Sequence, residues 1–332
     1  MSDMIEMLPN GRASFAYVGE TPWHLKGNEV AEEVANDIPL FLASSGLDWK
    51  AEKVPLCEVD TGEMVDFYAV RRLTDGKRIG LVGPNYQILQ NESAFEWFKP
   101  FLEAGEARLH TAGALCEGSR VWVLAKLNRE PMVIAEGDEV EKYLLLSHAH
   151  DGTLAVRVGF TPIRVVCANT LAMAHSDNAS KLLRVKHGKN LHENLLNIRA
   201  IVDTANQEFE ATAEQYRLLV NKQINQKDLQ RYVKTVFGFD PDEDVKRTRS
   251  KHIMEDVIGL CEAGKGNTLA SVRNTYWTAY NGVTEYLAYE YAKPKKKDDD
   301  RVDNRLNSLW FGVNAKMNKD ALKVATEMAL AA

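Results

Sequence analysis

The sequence predicts an α+β fold: a mostly antiparallel β-sheet of hairpins and a β-meander followed by a helix, then a helical C-terminal region. Two observations carry that prediction. Between Val65 and Ala168, short arms alternate apolar and polar residues and break at Asp75-Gly76, Glu117-Gly118 and Asp151-Gly152, the punctuation of antiparallel strands. After Lys189 the period lengthens to helical spacing, through Leu195, Ile198, Val202, Ala205, Phe209, Tyr216 and Leu219. The chain accordingly divides into a mixed segment 1–60, an α+β core 61–190, a helical region 191–292, and a charged linker with a final helix at 293–332.

Each element follows from local chemistry. "ETPWHLKGNEV" reads as loop, and "VAEEVANDIPLFLASSG" as a helix stopped by Gly46. Residues 65–83 form two alternating arms around Asp75-Gly76, a hairpin. Asn91 is the expected N-cap of a helix that ends at Gly105, with Phe95, Phe98 and Leu102 on one face. Residues 108–127 resume strands with a bend at Glu117-Gly118. The stretch "KYLLLSHAHDGTLAVRVGFTPIRVVCA" reads as three arms, with a type I′ turn at Asp151-Gly152 and a second turn at Thr161-Pro162. A helix is expected from Asn169, and another over about 226–237, ended by Gly238. "FDPDEDVKRTRSK" is a polar connector, residues 268–291 an aromatic-rich helix, "KPKKKDDDR" a charged linker, and "NKDALKVATEMALAA" a last helix capped by Asn318.

Composition narrows the classes of function. With 45% hydrophobic and 27% charged residues over 332, the chain has ordinary globular composition and enough length for a large core. No run approaches the roughly 18 apolar residues of a membrane span. The start, "MSDMIEMLPNGR", lacks the basic and apolar regions of a secretory signal. Cys57, Cys116, Cys167 and Cys261 form no CxxC pair, so a reduced cytoplasmic protein without a zinc ribbon is expected. The net charge of −6 argues against indiscriminate nucleic-acid binding. The charge is uneven, however. Residues 143–191 hold six Lys/Arg against two acids, and residues 192–244 six against ten, a local +4 followed by a local −4.

Four patterns resemble chemistry. His148-x-His150-Asp151 has the look of a divalent-metal hydrolase site, but Asp151 comes one residue too early for H-x-H-x-D-H, and zinc needs three or four ligands. A strand with both histidines on one face, closed by an Asp-Gly turn, is the simpler reading. Cys167 beside His148 or His150 would be a thiol and base, yet it ends an apolar strand and is expected in the core. "EAGKGNTLAS" lacks the phosphate-loop spacing and reads as a helix connection. The fourth pattern is basic and aromatic: Arg71, Arg72 and Lys77 around the first hairpin, then Arg120, Trp122 and Lys126 at even spacing, then Arg157, Phe160 and Arg164 on the meander. A sheet so decorated would hold a phosphate backbone by its charges and stack bases on Trp122, Phe160 or Tyr86. The competing reading is a merely solvated face.

The stretch "YLLLSHAHDGTLAVRVGFTPIRVVCANTLAMA" resembles the signature of phage/plasmid-like proteins in a bacterial family of unknown function. It carries His150-Asp151-Gly152, then Thr161-Pro162, Arg164-Val165-Val166-Cys167 and Asn169-Thr170-Leu171. "VGPNYQILQNESAF", "TAGALCEGSRVWVLAKL" and "AYNGVTEYL" resemble further blocks of that family, so the likeness covers roughly residues 60–290. It implies a phage or mobile-element setting in a bacterial host cell. The strand-strand-strand-helix order of 143–180 also resembles the core of single-strand annealing proteins of the Red-beta/RecT group. That likeness implies single-stranded DNA held beside a hairpin, rings or filaments, no cofactor and no nucleotide hydrolysis, with a phage nuclease as potential partner. Under it, Asp151-Gly152 shapes the hairpin, Asn169 caps a helix and Cys167 is core. Two alternatives stay open: the metal-dependent hydrolase, and an accessory protein that binds a host protein through the aromatic helix around Tyr276–Tyr291.

Overall fold

The computed structural model describes residues 5–19, 27–164, 169–170, 183–199, 205–243, 245–291, 308–309 and 312–332. Its fold is α+β with antiparallel sheets, as the sequence predicts. The larger sheet is built around three long strands, β7 (Arg120–Leu127), β9 (Asp138–Ala149) and β10 (Val156–Arg164). On one side it continues through β6 (Ala107–Leu115) and β1 (Phe15–Tyr17) to β2 (Asn28–Glu29). On the other, β10 pairs with β11 (Asn169–Thr170) and β12 (Leu183–Val185), while β8 (Met132–Ala135) lies on β9. A second sheet holds β3 (Ala51–Cys57), β4 (Met64–Arg72) and β5 (Arg78–Val82).

The hairpins stand where the sequence puts them. Gly76 (φ 70°) turns β4 into β5, and Cys116, Glu117 and Gly118 all take positive φ between β6 and β7. β3 pairs with β4, so this hairpin begins before residue 60. The meander differs from expectation. Thr161-Pro162 is not a turn: both residues continue β10, paired with Tyr143 and Lys142. Among the described residues, β12 pairs with β10 as far as Val158 and β11 pairs from Ile163, so Pro162 lies outside both pairings. Asn169 lies in strand β11, paired with Arg164, and not at the start of a helix as expected. Cys167 lies outside the described residues. The Asp151-Gly152 turn is not a type I′ pair, since only Gly152 (φ 74°) is left-handed. Asp151 instead accepts from Thr153 N (2.9 Å) and Oγ1 (2.6 Å), an Asx turn.

Helices also differ at their ends. The segment before Gly46 splits into a 3-10 turn, Glu32–Asn36, and α1 (Ile38–Ser44), because the Asp37 side chain caps Leu40 N and restarts the helix. The expected helix from Asn91 is two short ones, α2 (Asn91–Glu96) and α3 (Lys99–Glu103), with Pro100 in the first turn of the second. Asn91 is not a cap; buried, it donates from Nδ2 to Leu47 O at 3.0 Å. The helical half comprises α4 (Leu191–Arg199), α5 (Ala205–Val220), α6 (Gln226–Val236), α7 (Thr248–Ala263), α8 (Tyr276–Tyr289) and α9 (Val313–Ala331). α7 begins inside the expected polar connector. Asn318 caps nothing; inside α9 it accepts from Tyr280 OH at 2.8 Å.

One buried cluster runs from Ala16 to Ala329 and joins the helices to one face of the large sheet. Val121, Val123, Ala125, Leu144, Leu146, Val156 and Val158 supply that face. α8 lies at the centre of the helical part, with Trp277 Nε1 donating to Asp138 Oδ2 of β9 at 2.8 Å. Tyr276, Tyr280 and Tyr286 of this stretch are buried, while Tyr289 and Tyr291 are partly exposed. Among the described residues, no helix is long and apolar enough to cross a membrane.

Candidate nucleic-acid interface

The opposite face of the large sheet has its own smaller cluster: Phe15, Tyr17, Leu115, Trp122, Leu124, Tyr143 and Leu145, among others. Alternation along β7, β9 and β10 fixes which residues lie there. The pairings Arg184↔Arg157, Arg157↔Ser147, Ser147↔Trp122 and Trp122↔Gly113 form one row across five strands. Trp122 is 2% exposed and packs where a Cβ on Gly113 would meet its ring at 2.4 Å. It is therefore core and not a stacking platform, which corrects the sequence expectation. Phe160 lies on the other face, its ring edge-on to Phe209 of α5 at 5.2 Å, so it too is committed to packing. The Tyr86 ring stacks on His187 at 4.5 Å, and its hydroxyl donates to Ala149 O at 2.5 Å.

The expected cations separate into two groups. Arg72 is buried, with Nη1 2.7 Å from Glu6 Oε1 and Nη2 2.5 Å from Asp75 Oδ2, so it is a structural ion pair and not a phosphate contact. Lys77 pairs with Glu117 at 3.1 Å, and exposed Arg71 with Glu52 at 2.5 Å. Lys126 is paired with Glu141, whose second oxygen accepts from Tyr143 OH at 2.8 Å. Arg164 pairs with Val140 at the end of β10. Arg120 and Arg157 lie on the same face of the sheet, through Ala149 and Ser147 of β9.

A third arginine joins them. Arg184 on β12 sits directly opposite Arg157 and is exposed. Burial first, then the charges of Arg184 and Arg120, hold the Arg157 pKa below its ordinary value, so the three guanidiniums feel one another. Arg120 Nη2 reaches Thr153 Oγ1 at 3.4 Å, at the Asp151-Gly152 turn. Arg184 falls where a helix is expected from Asn169; the apolar-charged-apolar "LRV" is the strand signal present.

The histidines lie on the helix-facing side. His148 and His150 are fully buried, with ring centroids 4.8 Å apart, and His148 is 6.2 Å from His187. Asn91 presents Oδ1 to His150 at 3.2 Å while its amide serves Leu47, so His150 Nε2 is the donor. His187 Nδ1 donates to Gln87 O at 2.9 Å. Among the described residues, both nitrogens of His148 and Nδ1 of His150 have no hydrogen-bond partner. Burial, reinforced by mutual repulsion, keeps His148 well below its ordinary pKa and brings His150 to about 3. Asp151 points to Thr153 instead. Among the described residues, no group of three or more His, Cys, Asp or Glu side chains is placed to hold a metal ion, so the hydrolase constellation of His148, His150 and Asp151 does not assemble. The Gly264–Asn267 connection between α7 and α8 gives its Lys265 N–H to Glu285 Oε2 at 3.1 Å, as a helix connection should.

The model of a family described as a domain of unknown function (DUF932) matches residues 78–310. No curated protein and no solved structure matches the chain.

Proposed function

The chain belongs to the DUF932 family, a domain of unknown function, and we propose that it is a single-stranded-DNA-binding protein of annealing type that acts without nucleotide hydrolysis. The observation that carries the reading is the convergence of Arg120, Arg157 and Arg184 on the sheet face opposite the helices. Three guanidiniums on one sheet face give it local positive charge, which attracts a polyanion. Contacts of this kind position a strand without reading its bases, so no catalytic residue is required. The annealing step, assembly into rings or filaments, and the phage or mobile-element setting rest on the resemblance of the Ser147–Thr170 stretch.

Fluorescence anisotropy with a labelled single-stranded oligonucleotide tests the binding. Three phosphate contacts give a log–log salt slope of about −2, at roughly 0.7 per contact on a single strand. Absence of salt-sensitive binding at micromolar protein overturns the reading. Mixing complementary labelled strands without ATP tests annealing separately, and particle images with and without DNA test assembly.

A further inference from the structure

We propose that the outer face of the second sheet is a contact surface for a second copy of this chain, closing a two-fold dimer; the inference stands apart from the DNA reading. Val54, Ala69 and Leu81 form one row across β3, β4 and β5, and Leu56 pairs with Val65. Phe67 stands two positions from both Val65 and Ala69 on β4, so alternation places all six on one face. None of the six belongs to either buried cluster, whereas their neighbours Val70 and Val82 do. Phe67 is 58% and Leu81 52% exposed. A contiguous apolar strip open to water marks a contact surface. The free edge of β3 does not serve instead: the Gln90 side chain holds both backbone groups of Ala51, and Pro55, which has no N–H, interrupts the edge further along.

Charge selects the occupant and its orientation. One end of the strip carries the row Glu52, Arg71 and Arg78; Arg71 pairs with Glu52, and Arg78 is exposed. At the other end lie Glu58, Asp60, Glu63 and Asp66, all exposed, with no Lys or Arg between Cys57 and Phe67. The face is thus bipolar along its strands. A two-fold contact uses the same patch on both copies, so the patch must complement itself. An axis across the strands lays the acids of each copy against the arginines of the other, twice. An axis along the strands would stack acids on acids. The nine residues of β4 make the strip about 30 Å long, and three strands make it about 14 Å wide, so two copies bury roughly 1,000 Å² together. That is the lower end for a specific interface and corresponds to micromolar affinity.

Sedimentation velocity of the full chain without DNA, from about 1 to about 100 µM, is expected to show a reversible monomer–dimer equilibrium. Phe67→Glu, at an exposed site, is expected to raise the dissociation constant at least about tenfold with an unchanged thermal midpoint. The double variants Arg71→Glu/Arg78→Glu and Glu58→Lys/Glu63→Lys are each expected to stay monomeric alone and to dimerise when mixed, because only the mixed pair restores opposite charges at both ends. A wild-type chain that is monomeric throughout the range overturns the proposal and leaves the face to a different protein. Phe67→Glu associating like wild type also overturns it, since the copies then meet through another surface.

Discussion

Arg71 and Arg72 are adjacent in sequence and face opposite environments. The first pairs with Glu52 on an open sheet surface, where ion pairs contribute at most about 1 kcal/mol. The second is 4% exposed, between Glu6 and Asp75 and over the Trp49 ring. Removing Arg72 strands the equally buried Glu6 carboxylate, a loss of roughly 3–5 kcal/mol. Urea denaturation is therefore expected to show Arg72→Gln severely destabilised and Arg71→Gln close to wild type; equal midpoints would show that Arg72 is not a buried anchor. Alternation along β4 makes two such neighbours face opposite ways, and that much is legible in sequence. Which of the two faces is open depends on Glu6, far away in the chain. The same limit governs Trp122: its strand and its facing were readable, but its cover by Phe15 (centroids 5.3 Å apart) and its fit over Gly113 come from strands assembled across the sequence.

At the scale of elements, local chemistry made the hairpins legible. A left-handed Gly76 or Gly118 and flanking alternation suffice to define β4–β5 and β6–β7. β3, β11 and β12 depend on pairing partners, and they were missed or read as something else. The joint between the two sheets is one of these nonlocal features. Gly80 in β5 lies so close to the Asp151 turn that a Cβ would meet His150 O at 2.4 Å and Asp151 Cα at 2.6 Å. Both contacts are backbone and cannot swing aside. Gly80→Ala is thus expected to cost about 1–3 kcal/mol by overpacking. It should also displace the turn that carries Thr153, Arg120's partner, and so weaken oligonucleotide binding. A variant with wild-type stability and affinity would mean that the sheets are not in register at this glycine.

Across the whole molecule, the buried histidines give folding a pH dependence with a defined sign. His110, His148, His150 and His187 all have their pKa lowered, chiefly by burial; His110 falls to about 4 and His150 to about 3. Lys126 and Arg108 add to the lowering at His110 while Glu141 opposes it, and Asp151 opposes it at His187. In the unfolded chain each regains a pKa near 6.5. The unfolded state then binds more protons below that value, so stability is fully present above about pH 6.5 and is lost as pH falls toward the folded values. Each histidine contributes up to about 1.4 kcal/mol per pH unit in that window. The carboxylates do not confuse the reading, because Asp75, held near 2 by the hydrogen bond from Arg72, and Glu141, also lowered, titrate below it. Urea midpoints are expected to fall steeply between pH 6.5 and 5. Among the described residues His148 has no hydrogen-bond partner at either nitrogen, so His148→Leu is expected to keep stability at pH 7.5 and to flatten that fall by about one proton. If the midpoint is flat from pH 7.5 to 5, or if His148→Leu leaves the slope untouched, these imidazoles are not held neutral in the core.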